Sequence, residues 1–300
     1  MARTSLHGCP APAKLNLFLH VNGRRADGYH LLQTVFQLID HGDMLDFDLR
    51  ADGLIRRRTD VPGVPEAQDL IVRALLLLQA EHARRHRDTP GIDVAIDKKL
   101  PMGGGLGGGS SDAATALMVA NELWQTGLSR EELMALALSL GADIPFFIFG
   151  ENAFAEGVGE ALQPVATAQC WYVVIEPGVA VPTAAIFCAE HLTRDTKPVR
   201  IADFSRHLMS RTDMREFGKN DLQAVASGLF PQVAQAVEWL GTYGDARMTG
   251  SGACVFCAFS SEGEADAVLR QMPPVWSAWK ARSLARHPLL AVLQVGSDVV

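Results

Sequence analysis

Between Ala13 and His20 the chain alternates. Leu15, Leu17 and Leu19 fall on one side, and Lys14, Asn16, Phe18 and His20 on the other, which is the period-two signature of a strand. Helical spacing takes over at Leu70, Ile71, Ala74, Leu75 and Leu78. Ile92, Val94 and Ile96 alternate again and predict a short strand running into Lys98-Lys99-Leu100-Pro101. A glycine-rich loop follows, and then a helix marked by Ala113, Leu117, Ala120 and Trp124. Ser129 and Glu132 have capping-box spacing ahead of a helix with Leu133, Leu136, Ala137 and Leu140, which Gly141 ends. The stretch from Gly150 to Gly159 reads as loop. Beyond it the pattern predicts a strand over Trp171 to Ile175, a turn at Pro177-Gly178 and a helix over Val225 to Leu240. A glycine turn and strand within Arg247 to Phe259 come next, followed by a helix around Glu264 to Met272. Strands and helices mix in both halves, so an α+β chain is expected, dividing into residues 1–160 and 161–300.

With 300 residues, 48% of them hydrophobic, the chain can bury a full core without disulfides or metals. Its net charge of −7 makes it a poor nucleic-acid binder by bulk charge, so an anionic ligand must be held by local groups. The N-terminus lacks the apolar core of a secretory signal. The longest apolar stretch, Leu133 to Phe149, is interrupted by Gly141, Asp143 and Pro145 and is too short to span a bilayer. Five scattered cysteines, an odd number, suit the reduced thiols of a cytoplasm. Cys254 and Cys257 have C-x-x-C spacing, but they sit in an apolar run with no second pair and are expected to be buried strand residues. A monomer and a homodimer both remain open.

The strongest chemical signal is Pro101-Met102-Gly103-Gly104-Gly105-Leu106-Gly107-Gly108-Gly109-Ser110-Ser111. Six glycines between a strand and a helix strip away side-chain bulk. Backbone N–H groups can then wrap an oxyanion, with the positive end of the following helix behind them. The Walker pattern fails, because Gly109 stands where its lysine belongs. Gly103, Gly105 and Gly108 satisfy G-x-G-x-x-G, which keeps a dinucleotide-dependent oxidoreductase in view. Such a loop is expected in the first βα unit, whereas this one follows about a hundred residues.

Two charged residues stand in costly places. Lys14 lies mid-strand beside Asn16, where an ammonium could hold phosphate or a developing alkoxide. Asp143 precedes Ile144-Pro145-Phe146-Phe147, where it either caps a short helix or serves a site. Brought together, the two would make an acid/base pair able to deprotonate a hydroxyl.

These segments resemble the GHMP kinases, small-molecule kinases named for galactose, homoserine, mevalonate and phosphomevalonate. Pro101 to Gly107 is similar to their P-x-x-x-G-L-G motif. The likeness extends through Pro12 to Asn16, Arg24 to His30, Gly141 to Pro145 and Thr249 to Cys254, and is greatest with the branch whose acceptor is a cytidylated methylerythritol. The resemblance implies a two-domain fold with the active site in a cleft between an N-terminal ATP-binding domain and a C-terminal domain. It implies transfer of the ATP γ-phosphoryl to an acceptor hydroxyl, with Mg²⁺ expected alongside ATP and its protein ligands unassigned. Asp143 would take the hydroxyl proton, Lys14 would orient Asp143, and residues 101–111 would cradle the triphosphate. Tyr29 and Phe187 would sandwich the cytosine while His30 hydrogen-bonds it, and Asn16 and Thr183 would also line the substrate site. A nucleotide-binding regulator without turnover is a further reading, against which the presence of both Lys14 and Asp143 argues.

At the start of the helix near residue 69 this sequence has Asp69 where the family usually has asparagine, a change that removes an amide donor near adenine. The runs Arg56-Arg57-Arg58 and His82 to Arg87 are expected to be solvated. Asn220 is expected to cap a helix, and the turn at Thr249-Gly250-Ser251-Gly252 either starts a strand or forms a second anion nest.

Overall fold

The computed structural model describes residues 3–85, 90–209 and 217–294; His86 and Arg87 lie outside them. Its first element, β1 (Ser5–Arg24), is far longer than the alternating core of the pattern. It pairs antiparallel with β2 (His30–Arg50) in one extended hairpin. Register shifts between Pro12 and Lys14 and between Asn16 and Leu19 break the strict alternation, and β1 is buried on both faces through this stretch because residues of the second unit pack against it as well. β3 (Ile55–Arg57), β4 (Gly91–Asp97), β5 (Ala153–Glu156) and β6 (Ala161–Pro164) complete the first sheet in the order β3-β4-β2-β5-β6. β5 is a correction, since it lies in the segment expected to be loop. Its four residues, Ala153 to Glu156, are too few for periodicity to reveal.

Helices α1 (Leu70–Arg85), α2 (Gly108–Leu123), α3 (Arg130–Leu138) and α4 (Ile144–Phe149) cover one face of this sheet. The Ser129–Glu132 capping box starts α3, both of its reciprocal hydrogen bonds being formed. Leu75, Leu78, Leu117, Phe146 and Phe147 are fully buried between helices and strands.

The second unit is an antiparallel sheet, β10-β7-β9-β8, built from β7 (Trp171–Glu176), β8 (Arg247–Met248), β9 (Val255–Phe259) and β10 (Ser277–Arg282). α5 (Thr183–Cys188) and α6 (Ile201–Met209) follow β7. The helix expected over Val225 to Leu240 is two, α7 (Gln223–Leu229) and α8 (Pro231–Gly241), because Pro231 starts a new helix at its N1 position. α9 (Glu262–Leu269) precedes β10, and α10 (Leu289–Gln294) returns to pack on the first unit. β6 also belongs to the first sheet, so a division at residue 160 leaves two elements of the first unit beyond it.

A third cluster joins the two units. Leu15, Phe18, Ile39 and Leu106 from the first pack with Val174, Phe204, Cys254 and Phe256 from the second. Cys254 and Cys257 are buried there and in the second unit's own core, as expected; Cys257 lies in β9, while Cys254 stands one residue before it rather than in a strand.

Candidate active site

Between the two units opens a cleft of about 990 Å³. The glycine loop forms its floor. The carbonyls of four consecutive loop residues are all tied from behind. Ala253 N–H donates to Gly103 at 3.1 Å, Cys254 N–H to Gly104 at 3.1 Å, Lys14 Nζ to Gly105 at 3.0 Å and Lys14 N–H to Leu106 at 2.9 Å. In a trans peptide the next N–H points opposite its carbonyl. The amides of residues 104–107 point away from these anchors and donate to no group among the described residues, and all four residues line the cleft. The first hydrogen bond of α2 runs from Ser111 N–H to the Gly107 carbonyl at 2.8 Å, which leaves the Gly108, Gly109 and Ser110 amides free at the helix end. The whole arrangement is a nest for an oligophosphate.

Two glycines are required by space as well as by conformation. Gly105 has φ +74°, and a Cβ there would lie 2.1 Å from the Thr249 carbonyl oxygen. Gly107 has φ +72°, and its Cβ would lie 2.9 Å from the Phe147 ring and 3.2 Å from Lys14 Cγ.

Pro101 to Ser110 all line the cleft. Ser111 does not: it is fully buried and its hydroxyl donates to the Pro12 carbonyl at 2.7 Å. One turn into a helix, its side chain faces β1 and pins the loop to it instead of reaching the ligand.

At the cleft's centre Lys14 is almost wholly buried. Its Nζ donates to Asn16 Oδ1 at 2.6 Å and lies 3.7 Å from Asp143 Oδ2. Burial pushes the ammonium below lysine's ordinary value, and the charge and hydrogen bond of Asp143 oppose that shift. Asp143 sits at the N-cap of α4, yet its side chain makes no capping bond there. With 38% of that side chain exposed, its carboxylate faces the cleft. Asn16 is spent on positioning. Its Nδ2 donates to Thr34 at 2.9 Å, and its backbone N–H donates to the Thr249 hydroxyl at 3.1 Å. The turn at Thr249 is thus a brace between the units, and Asn220 holds it from the other side by donating to the Met248 and Gly250 carbonyls. Asn220 does not cap α7, whose N-cap is Leu222 without a side-chain bond; its Oδ1 accepts from Leu222 N–H at 2.9 Å and closes the turn just before the helix.

Sequence reasoning missed the cluster beneath the loop. Lys98 Nζ lies 2.5 Å from Asp43 Oδ2 and 2.7 Å from Asp112 Oδ2, and Asp43 Oδ1 accepts from the amides of Lys99 and Leu100. Burial pushes the Asp112 carboxyl up to about 8; Lys98 pulls it down, and the neighbouring Asp43 charge adds to the rise. Asp43 lies more than fifty residues from the other two, in a stretch with no motif. The arginine run was also misjudged at Arg57, whose side chain is only 5% exposed. Arg57 donates to Asp69 Oδ2 at 2.5 Å and to the Val64 carbonyl at 2.9 Å, while Asp69 Oδ1 accepts from Ile71 N–H at 2.7 Å. The carboxylate at position 69 is therefore matched to the buried Arg57, whose other carboxylate partner, Asp60, lies farther off at 3.6 Å and is exposed.

At the far end of the cleft Tyr29 stands on the β1–β2 hairpin tip, 65% exposed. His30 lies 4.9 Å, centroid to centroid, from Phe187 on α5, and the Thr183 hydroxyl is 2.7 Å from that of Ser251. All four of Tyr29, His30, Thr183 and Phe187 line the same cleft as Lys14 and the loop.

A glycine loop with unbonded amides, a buried ammonium and a half-exposed carboxylate paired with it, all in one two-unit cleft, are the equipment of a small-molecule phosphotransferase. The sheet around them is mostly antiparallel, and β3–β4 is its one parallel pair among the described strands. A dinucleotide fold would need a parallel sheet opening on the glycine loop, so the oxidoreductase reading falls. Comparison with known proteins agrees. The family described as the GHMP kinases N terminal domain matches residues 69–151, and the GHMP kinases C terminal family matches residues 203–278. The chain is 65% identical over 289 residues, 96% of its own length and 98% of the relative's, to a Herminiimonas arsenicoxydans protein named 4-diphosphocytidyl-2-C-methyl-D-erythritol kinase. A crystal structure of 4-(cytidine 5'-diphospho)-2C-methyl-D-erythritol kinase superposes with TM-score 0.77 at 29% identity, covering 91% of this chain and 98% of that one. Homoserine kinase from Cytophaga hutchinsonii shares the fold at TM-score 0.71 and 15% identity, covering 96% of each chain. The chain belongs to the GHMP kinase family.

Proposed function

We propose that this protein transfers the γ-phosphoryl group of ATP to the 2-hydroxyl of 4-diphosphocytidyl-2-C-methyl-D-erythritol, in the non-mevalonate route to isoprenoids. The observation that carries the reading is the 3.7 Å approach of Lys14 to Asp143 beside a loop whose carbonyls from Gly103 to Leu106 are all held by hydrogen bonds, the Gly105 carbonyl by Lys14 Nζ itself. The close relatives' shared name supports the choice of acceptor.

In this reading the amides of residues 103–110 hold the triphosphate of ATP. The acceptor oxygen attacks the γ-phosphorus as the bond to the β-phosphate oxygen breaks and ADP leaves. Asp143 receives the hydroxyl proton, and the Lys14 ammonium neutralises charge gathering on the attacking oxygen. Burial keeps water from competing for that ammonium. Mg²⁺ bound with ATP would be held mostly by phosphate and water oxygens, so few protein oxygens would be needed. The Ser110 hydroxyl and the Asp143 carboxylate line the cleft and fit that need, although no cluster of three or more metal-binding side chains occurs among the described residues. Bound there, the cation would offset negative charge on the transferring group.

Tyr29, His30 and Phe187 hold the cytosine in this reading, with Thr183 and Asn16 nearer the reacting end. We place the reaction in the cytoplasm, where the five unbridged cysteines are stable as thiols. No helix among the described residues is long and apolar enough to cross a membrane. The test is a coupled ADP-release assay across the cytidylated substrate, mevalonate, homoserine and galactose. Turnover confined to the first is expected; preference for any other would overturn the acceptor assignment.

A further inference from the structure

Arg194 follows α5 in a segment without regular structure, and the sequence gives it no motif. Its guanidinium has five N–H donors, and all five are occupied. Nη2 donates to the carbonyls of Phe187 at 3.0 Å and Ala189 at 2.8 Å. Nη1 donates to the carbonyls of Leu192 at 3.2 Å and Glu190 at 3.5 Å. The fifth donor, Nε, points to His30 Nε2 at 3.2 Å. Four of these bonds gather the carbonyls around the C-terminal end of α5, where helical partners run out. The fifth crosses to the start of β2 in the other unit.

A guanidinium has no acceptor, so the Arg194–His30 contact fixes the direction of that hydrogen bond. His30 Nε2 must offer a lone pair, and the imidazole is therefore neutral with its proton on Nδ1. Nδ1 has no hydrogen-bond partner among the described residues. The same arginine sets the position of Phe187 through its carbonyl, and the Phe187 ring lies 4.9 Å from His30. Burial, then the charges of Arg194 and Arg24, push His30 below its ordinary value, in keeping with a neutral ring.

We propose that Arg194 is a positioning residue for the acceptor's base: it locks His30 as the neutral Nδ1–H tautomer and holds Phe187 beside it, so that the cleft presents one fixed hydrogen-bond donor next to an aromatic face. The inference rests on the cytidylated-substrate reading for its ligand, though not for its chemistry. A pyrimidine whose ring nitrogen or carbonyl accepts a hydrogen bond is the chemical class that matches a single imidazole N–H donor. A protonated His30 would carry a second donor aimed at a guanidinium and would be driven out of place.

The first measurement needs neither a variant nor a ligand. In ¹⁵N-histidine-labelled wild-type protein at pH 7.5, His30, assigned by its loss in His30→Gln, is expected to show a protonated Nδ1 and an unprotonated Nε2. An Nε2–H tautomer, or a charged ring, overturns the proposal. The second is kinetic. Arg194→Gln is expected to raise KM for the cytidylated substrate about tenfold, with KM for ATP and kcat within about twofold. Its acceptor KM should also rise as pH falls through about 6.5, the unperturbed histidine range, whereas the wild-type value stays flat there. Arg194→Lys should fail to rescue, since an ammonium has three donors and cannot span five acceptors. Equal loss for both substrates, or full rescue by lysine, counts against the positioning role; the unchanged KM for ATP shows that the variant is folded. If the protein does not turn over the cytidylated substrate at all, the functional reading fails while the tautomer measurement still stands.

Discussion

The two ends of the cleft are built from different materials. The end we assign to phosphate is main chain: one run of residues from 103 to 110, its carbonyls anchored from Gly103 to Leu106 and its amides free. The end we assign to the acceptor's base is side chains, Tyr29 and His30 from a hairpin tip and Phe187 and Arg194 from the other unit. A backbone site is fixed by the chain's own covalent geometry and tolerates little change of residue. A side-chain site depends on how two units sit against each other, and its strength is spread over contacts that can be lost singly. Variants at the two ends should therefore fail in different ways, and the point where the ends meet should fail worst.

That meeting point is Lys14 and Asp143. Asp143→Asn and Lys14→Met are each expected to lower kcat by about 10³-fold; ATP affinity stays within a few-fold in Asp143→Asn, whereas Lys14→Met also removes the Nζ anchor of the Gly105 carbonyl and weakens ATP more. Steady-state kinetics with direct ATP titration separates the two quantities. Near-normal turnover in either variant removes that residue from the chemistry and leaves the two ends without a shared centre. Next in size is Gly105→Ala. Its φ of +74° is strained for alanine, and the new methyl would fall 2.1 Å from the Thr249 carbonyl. The loop must shift off its anchors, at a cost on the order of 1–3 kcal/mol. ATP affinity should drop about tenfold or more, with acceptor binding, measured by titration without ATP, nearly unchanged. If both fall together, the loop is not a self-contained phosphate site.

The same contrast governs what could be read from the sequence. The loop, the helix after it and the capping box at Ser129 are local, so spacing alone located them. Lys14 and Asp143 stood out because each carries charge into an apolar setting, but nothing in the chain said that they meet. β5 escaped notice because a four-residue strand buried at a sheet's interior has no period to display. The break at Pro231 was overridden by apolar spacing that continues through it. Ser111 was assigned to the ligand because it lies in the motif, and the helical turn rotates it inward. Arg57 looked solvated because its partner, Asp69, is twelve residues away across a loop. Tyr29, His30 and Phe187 had no signal of their own, and only family resemblance singled them out.

Beneath the loop, the cluster of Asp43, Lys98 and Asp112 offers a pH test of the rigid end. Burial pushes the Asp112 carboxyl up to about 8, against the pull of Lys98. The unfolded chain releases that proton near pH 4. Between those values the folded state holds one more proton, so stability falls as pH rises, by about 1.4 kcal/mol per unit, and levels off above pH 8. Urea midpoints for wild type and Asp112→Asn between pH 5 and pH 8 should therefore diverge: the wild-type decline contains this contribution and the variant's lacks it. Parallel curves would mean that Asp112 is ionised in the folded state and that Lys98 outweighs its burial.

The smallest effect is expected at Tyr29, where the soft end is softest. The ring is 65% exposed, so the free protein owes it little packing, and Tyr29→Ala should leave the melting temperature within a degree or two of wild type. Its value appears only when a base covers it. Stacking of a base on an aromatic ring contributes roughly 1–3 kcal/mol, and an exposed ring at a hairpin tip, without a wall behind it, falls at the low end of that range. KM for the cytidylated acceptor should rise about fivefold to tenfold, with kcat and KM for ATP unchanged, because the tip touches neither the nest nor the Lys14–Asp143 pair. The control that gives the measurement meaning is Tyr29→Phe, which keeps the ring and drops the hydroxyl. Retained affinity in phenylalanine with loss in alanine assigns the role to the π-face. Equal loss in both assigns it to the hydroxyl, and the base would then be held at this end by hydrogen bonds instead of by stacking.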